Sequence, residues 1–181
     1  FLGFPPDQPD ATTKTTALHV AAESGNIRAV HMLLQAGAQA NTCDSSLSTP
    51  LHIAAYMGYD EIVQMLLTYG ADMYRRDNTG RNSFHLAVST GNNRLVQHFL
   101  SASGSEQNIL HVPDDENWTP LMCACASNHP STCALLLLHG ANICSTNDQG
   151  MTAVHIAAFI GSLPIIYELL NSSIDDELIL K

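Results

Sequence analysis

The sequence predicts an all-α fold built as a solenoid, and three observations carry that prediction. A Thr-Pro-Leu-His-like tetrapeptide occurs five times, as Thr16-Ala17-Leu18-His19, Thr49-Pro50-Leu51-His52, Asn82-Ser83-Phe84-His85, Thr119-Pro120-Leu121-Met122 and Thr152-Ala153-Val154-His155. Its copies lie 33, 33, 37 and 33 residues apart, and a Gly-Ala pair (Gly37-Ala38, Gly70-Ala71, Gly140-Ala141) follows three of them 21 residues after the Thr. The 181 residues are 45% apolar, ample for a continuous core. A period of that length marks one supersecondary unit that cannot bury its own apolar face and must stack on its neighbours.

The elements follow in chain order. Residues 1–10 hold Pro5, Pro6 and Pro9, cannot be helix interior, and read as a tail that folds back or stays loose. The first unit spans 11–43 and the second 44–76, and the second shows the parts most clearly. Thr49 can cap a helix while Pro50 takes the first helical position, where a missing N–H costs nothing. That short helix carries Leu51, Ile53, Ala54 and Ala55, and Gly58 ends it in the left-handed conformation that a side chain would resist. A second helix follows, with Asp60 and Glu61 at the positive end of its dipole and Ile62, Val63, Leu66 and Leu67 along one stripe. Gly70 closes it. Asp77-Asn78-Thr79-Gly80 then reads as a hairpin-like turn opening the third unit, 77–113. The fourth unit covers 114–146 and the fifth 147–173, and the amphipathic residues 174–181 read as a cap or the start of a further repeat.

Helix, turn, helix and hairpin-like turn at this period resembles the ankyrin repeat, whose pattern runs Asp-x-x-Gly-x-Thr-Pro-Leu-His-x-Ala-Ala-x-x-Gly. The resemblance covers about residues 11–170 and implies an ankyrin-repeat solenoid of helix–turn–helix units joined by β-hairpin-like turns. It also implies that His19, His52, His85 and His155 are structural clips, bonding the turns of their own and neighbouring repeats. Two units depart from the pattern. The third reads Asn82-Ser83-Phe84-His85 and has four extra residues, expected to bulge from Ser101 to Pro113 while Leu95, Val96, Phe99 and Leu100 hold its second helix. In the fourth, Met122 takes the His place, filling space but forfeiting about 1 kcal/mol of hydrogen bonding.

Charge and cysteine usage narrow the function. Residues 95–180 hold nine acids and no Lys or Arg, within a net charge of −10, so phosphate backbones are repelled and basic partner segments attracted. Direct nucleic-acid binding is therefore not expected. No apolar run approaches the roughly 18 residues of a membrane span, and a start at Phe1 reads as an excised, soluble piece. Five cysteines without framework spacing point to reduced thiols, hence cytoplasm or nucleus. Cys123, Cys125, His129 and Cys133 are the best metal constellation, but Cys123 and Cys125 lie two apart on one short helix and face different ways, so no metal or other cofactor is expected. No nucleophile elbow, phosphate-cradling Gly loop or His-Glu-x-x-His pattern occurs, so no enzyme activity is expected either.

A binding surface remains. The resemblance implies partners that meet the hairpin tips and the exposed end of each first helix along a concave groove. The helix row is Glu23 and Ser24, Tyr56 and Met57, Ser89 and Thr90, Ala126 and Ser127, Phe159 and Ile160. The tips add Ser45, Ser46 and Ser48, then Asn78, Thr79 and Arg81, then Asp115, Glu116 and Trp118, then Asp148, Gln149 and Met151. Tyr56, Met57, Trp118, Met151, Phe159 and Ile160 are therefore the candidate apolar contacts, and Trp118, the only Trp, is the sharpest of them. Arg75, Arg76 and Arg81 form a basic spot suited to a carboxylate or phosphate on the partner, and Asp115 and Glu116 an acidic one. The expectation is a non-catalytic scaffold that binds a partner protein or peptide on the concave groove, with a basic segment of the partner facing the acidic C-terminal half. Its rivals are a regulatory or assembly segment of a larger channel or enzyme, and a methyl-lysine reader with Trp118 as half a cage. Asn41 ends the family's Gly-Ala-Asp-x-Asn pattern and is, by that resemblance, a candidate hydroxylation substrate.

Overall fold

A computed structural model of the chain describes residues 6–104 and 109–179, with side chains through Ser172. The described residues form helix pairs and turns without a strand. They fall into two compact units, Phe1–Leu86 and Ala87–Lys181.

The first unit contains α1 (Ala17–Glu23), α2 (Ile27–Gln35), α3 (Pro50–Met57) and α4 (Asp60–Thr68), and the unit boundary falls inside α5 (Ser83–Val88). α3 begins where its tetrapeptide requires. The Thr49 hydroxyl accepts the His52 N–H at 3.4 Å and the His52 Nδ1 accepts the Thr49 N–H at 3.1 Å, a reciprocal cap that satisfies two orphan donors. Gly58 ends the helix at φ +73°. Asn82 does the same work at the divergent third tetrapeptide, its side-chain oxygen accepting the N–H groups of Phe84 at 3.1 Å and His85 at 3.2 Å.

Two of the four tetrapeptide histidines, His19 and His52, tie their repeat to the next, whereas the Nδ1 atoms of His85 and His155 accept the N–H groups of Asn82 at 3.3 Å and Thr152 at 3.2 Å within their own repeats. The Nε2–H of His19 donates to the Ser48 carbonyl at 3.1 Å, and that of His52 to the Arg81 carbonyl at 3.2 Å. Successive tips are also joined through the backbone, where the Ser45 N–H donates to Thr13 O at 2.8 Å and the Asn78 N–H to Ser46 O at 2.9 Å. α1 packs on α3 and α2 on α4, closing a core around Leu18, Leu51, Ile62 and Leu66. Asp7 folds back onto this unit, its carboxylate accepting the Gln39 N–H at 2.8 Å, whereas Phe1 to Pro5 lie outside the described residues.

The second unit contains α6 (Asn93–Ala102), α7 (Pro120–Ala126), α8 (Pro130–Leu138), α9 (Ala153–Ile160) and α10 (Leu163–Ile179). α7 packs on α9 and α8 on α10, around Leu121, Met122, Leu136 and Ile165. Leu95, Val96 and Phe99 bury the inner stripe of α6, and Leu100 is half-buried. Of the expected bulge, 105–108 lie outside the described residues. The stretch after them turns inward instead: a single 3-10 turn over Ile109–His111 buries Ile109 and Leu110 beside α7. α10 runs without a break through Asn171-Ser172-Ser173. No glycine interrupts it after Gly161, and the Ser172 hydroxyl bonds back to the Leu169 carbonyl at 2.9 Å, which keeps the residue compatible with helix. Among the described residues no helix is long and apolar enough to cross a membrane.

Candidate functional site

In the second unit, the turn that precedes each first helix is shaped by one acceptor side chain. Asp114 Oδ1 accepts the N–H groups of Glu116 at 3.0 Å and Trp118 at 2.8 Å, and Asn147 Oδ1 those of Gln149 at 3.1 Å and Met151 at 2.9 Å. The Asp148 N–H then donates to Glu116 O at 3.1 Å, which sets the two tips side by side. Trp118 and Met151 consequently occupy matching places at the feet of adjacent tips, where both are half-buried.

Between those feet and the end of α9 lies an open cavity of about 390 Å³. Trp118, Gln149 and Met151 wall it from the tips, Phe159 and Ile160 close it from α9, and Ile156 and Ala126 form the floor. Ile156, Phe159 and Ile160 are three and four residues apart, so they share one face of α9. Phe159 is 90% exposed and Ile160 37%, a large apolar surface left in water. Among the described residues none of those lining the cavity is charged, and the acids stand at its rim: Asp115, Glu116 and Asp148 are exposed on the tips, with the Asn117 side-chain amide donating to Asp148 Oδ1 at 2.6 Å.

Four of the residues singled out from sequence therefore share one cavity: Trp118, Met151, Phe159 and Ile160. Gln149 and Ala126 belong to rows the sequence pointed to, but Ile156 was not a candidate, although its spacing to Phe159 and Ile160 marks it. The remaining candidates do not line this cavity. Tyr56 and Met57, 66% and 42% exposed, end α3 in the first unit. Arg75 and Arg76 are exposed and Arg81 is half-buried in the turn before α5, with the Arg75 Nη1 donating to the Cys43 sulfur at 3.0 Å. Asn41 is engaged at both ends of its amide: Nδ2 donates to Gly70 O at 2.9 Å and Oδ1 accepts the Asp72 N–H at 2.7 Å.

Burial pushes the His19 and His52 rings below the usual histidine range, partly offset by the carbonyls of Ser48 and Arg81 and by the charges of Asp44 and Asp77. The sulfurs of Cys125 on α7 and Cys133 on α8 lie 3.6 Å apart and fully buried. The hydrogen bond shared with Cys133, with burial behind it, pushes the Cys125 thiol far up, so it stays protonated.

Comparison with known proteins matches these observations. The family model described as ankyrin repeats (3 copies) matches residues 1–77 and 84–178, nearly the whole chain. A mouse (Mus musculus) protein named RelA-associated inhibitor is 42% identical over 57 residues, which is 31% of this chain and 7% of that protein. The chain thus spans a small part of the length of that relative. With the paired helices, the histidine clips and the family match in agreement, the chain belongs to the ankyrin-repeat family.

Proposed function

We propose that the chain is a non-catalytic protein-binding module whose partner, another protein or a peptide, seats apolar side chains against Trp118, Met151, Phe159 and Ile160. The convergence of these four on one open cavity carries the reading. Covering apolar surface yields about 25 cal/mol per Å², so a ring as exposed as Phe159 is a ready source of binding energy. Aromatic anchors near the centre of an interface are the usual sites where that energy concentrates. No titratable group lines the cavity among the described residues, so it offers neither a general acid nor a general base. The partner carries a basic segment toward the acidic C-terminal half, where residues 95–180 hold nine acids and no Lys or Arg.

On the first unit, Tyr56 and Met57 offer apolar contacts of their own and Arg75, Arg76 and Arg81 a basic spot suited to a carboxylate or phosphate. Similarity to a protein named for its association with RelA supports a protein as partner. Five free thiols fit a reducing compartment, cytoplasm or nucleus. The test is quantitative capture of the cellular partner on the parent chain and on Trp118→Ala, Phe159→Ala and Tyr56→Ala, with thermal unfolding measured beside it. Retention falling at least tenfold at an unchanged unfolding temperature is expected for Phe159→Ala; full retention on both Phe159→Ala and Trp118→Ala would refute the assignment.

A further inference from the structure

The cavity and its rim differ in character, and the difference describes the occupant. The walls are apolar or neutral throughout: indole, thioether, phenyl and aliphatic groups with the single amide of Gln149. Beyond the two ring faces, nothing in such a lining compensates the desolvation of an ammonium group, so a charged side chain is better left outside it. At about 390 Å³ the space is at the low end for ligand pockets, roughly 300–1,000 Å³, which suits one large side chain with its backbone rather than a folded element.

Acids flank the tip edge. Glu116 and Asp148 stand exposed on neighbouring tips held in register by the Asp148 N–H to Glu116 O bond, at the edge walled by Trp118, Gln149 and Met151. The opposite wall, Phe159 and Ile160 at the end of α9, leads into the uncharged residues Gly161 to Tyr167. A segment lying across this site meets acids at its tip edge and, at its helix edge, seven uncharged residues before Glu168.

Resting on the binding reading above, we infer that the cavity takes an uncharged Leu- or Phe-class anchor from an extended peptide segment whose Lys or Arg, within a few residues of the anchor, lies over Glu116 and Asp148. The anchor supplies affinity by burial, and the basic neighbour supplies orientation and salt-dependent association. A trimethyl-lysine, which carries its charge into the cavity, is disfavoured because Trp118 and Phe159 supply two rings where an aromatic cage takes several, and no carboxylate lines the cavity.

The experiment is selection of a displayed library of random 12-residue peptides on the chain, with Phe159→Ala as counter-target and Trp118 emission as the readout for synthesised clones. Selected clones are expected to share one large apolar residue with Lys or Arg close by. Replacing that apolar residue by Ala or by trimethyl-lysine is expected to weaken binding at least about tenfold. Raising salt from 0.05 to 0.3 M, or introducing Glu116→Lys with Asp148→Lys, is expected to weaken it several-fold. Clones that depend on Phe159 but carry acidic flanks, ignore the Lys substitutions, or gain from trimethyl-lysine would overturn the inference and leave the site standing. Clones indifferent to Phe159→Ala, or no clone preferring the parent chain, would overturn the site as well.

Discussion

His19 and His52 each link two repeats with one neutral imidazole, Nδ1 receiving a Thr N–H and Nε2 donating to a carbonyl of the next turn. Their pKa values lie below the ordinary histidine value in the folded chain, chiefly through burial. The unfolded chain therefore takes up these protons first as pH falls below about 6.5, and stability drops with it. Stability is expected to be flat above about pH 7.5 and to fall toward pH 5 by at most about 1.4 kcal/mol per pH unit for each ring, before carboxylates titrate. Urea midpoints from pH 8 to 5 check this, and His19→Gln should flatten the slope. Met122 holds the same place in the fourth repeat, and Asn147 follows it by the 25 residues that separate Asp44 from His19. Asn147 keeps the acceptor role of Asp44 but not the charge, which would have no imidazole to face, and its buried Nδ2 has no partner among the described residues. Met122→His is expected to add about 1 kcal/mol by reaching the Met151 carbonyl as His19 reaches Ser48. Asn147→Asp should destabilise alone and be rescued in part by Met122→His, a coupling that a double-mutant cycle measures.

At the scale of elements, glycines of similar backbone conformation play unequal parts. Gly58 caps α3 at φ +73° with open space where a Cβ would project, so Gly58→Ala is expected to cost only the left-handed conformation, about 1 kcal/mol. Gly91 has φ +72° but lies under His129, whose ring atoms would be 2.5 Å from an added Cβ while its Nε2 donates to Ser89 O at 3.0 Å. Gly91→Ala should therefore cost a further 1–3 kcal/mol or so through overpacking, and comparison of the two urea midpoints decides it. The start of the first helix in each pair was legible in the sequence because Thr16, Thr49, Thr119 and Thr152 each precede one, with Asn82 as an equivalent cap. The far end of α10 was not, since Asn171-Ser172-Ser173 resembles a terminator until the back-bond of Ser172 is seen. The inward turn at Ile109 and Leu110 was hidden for a related reason: an insertion between repeats gives no period from which to place its apolar residues.

At the scale of the whole molecule, periodicity supplied the fold, whereas the site emerged from places where copies of the repeat carry different residues. Trp118, Met151, Phe159 and Ile160 were visible as large apolar side chains at positions the repeat leaves open; their convergence on one cavity, floored by Ile156, required coordinates. On the proposed reading, the net charge of −10 favours basic partners in encounter and the neutral cavity selects what docks. Phe159→Ala is expected to shift stability by less than about 0.5 kcal/mol, because the ring is 90% exposed. The most direct measurement places a photo-crosslinking residue at Phe159 and, separately, at Leu138, which is 82% exposed at the end of α8 and does not line the cavity. If this cavity is where the partner docks, the captured partner crosslinks from position 159 and not from 138; crosslinking from 138 with none from 159 would contradict the account.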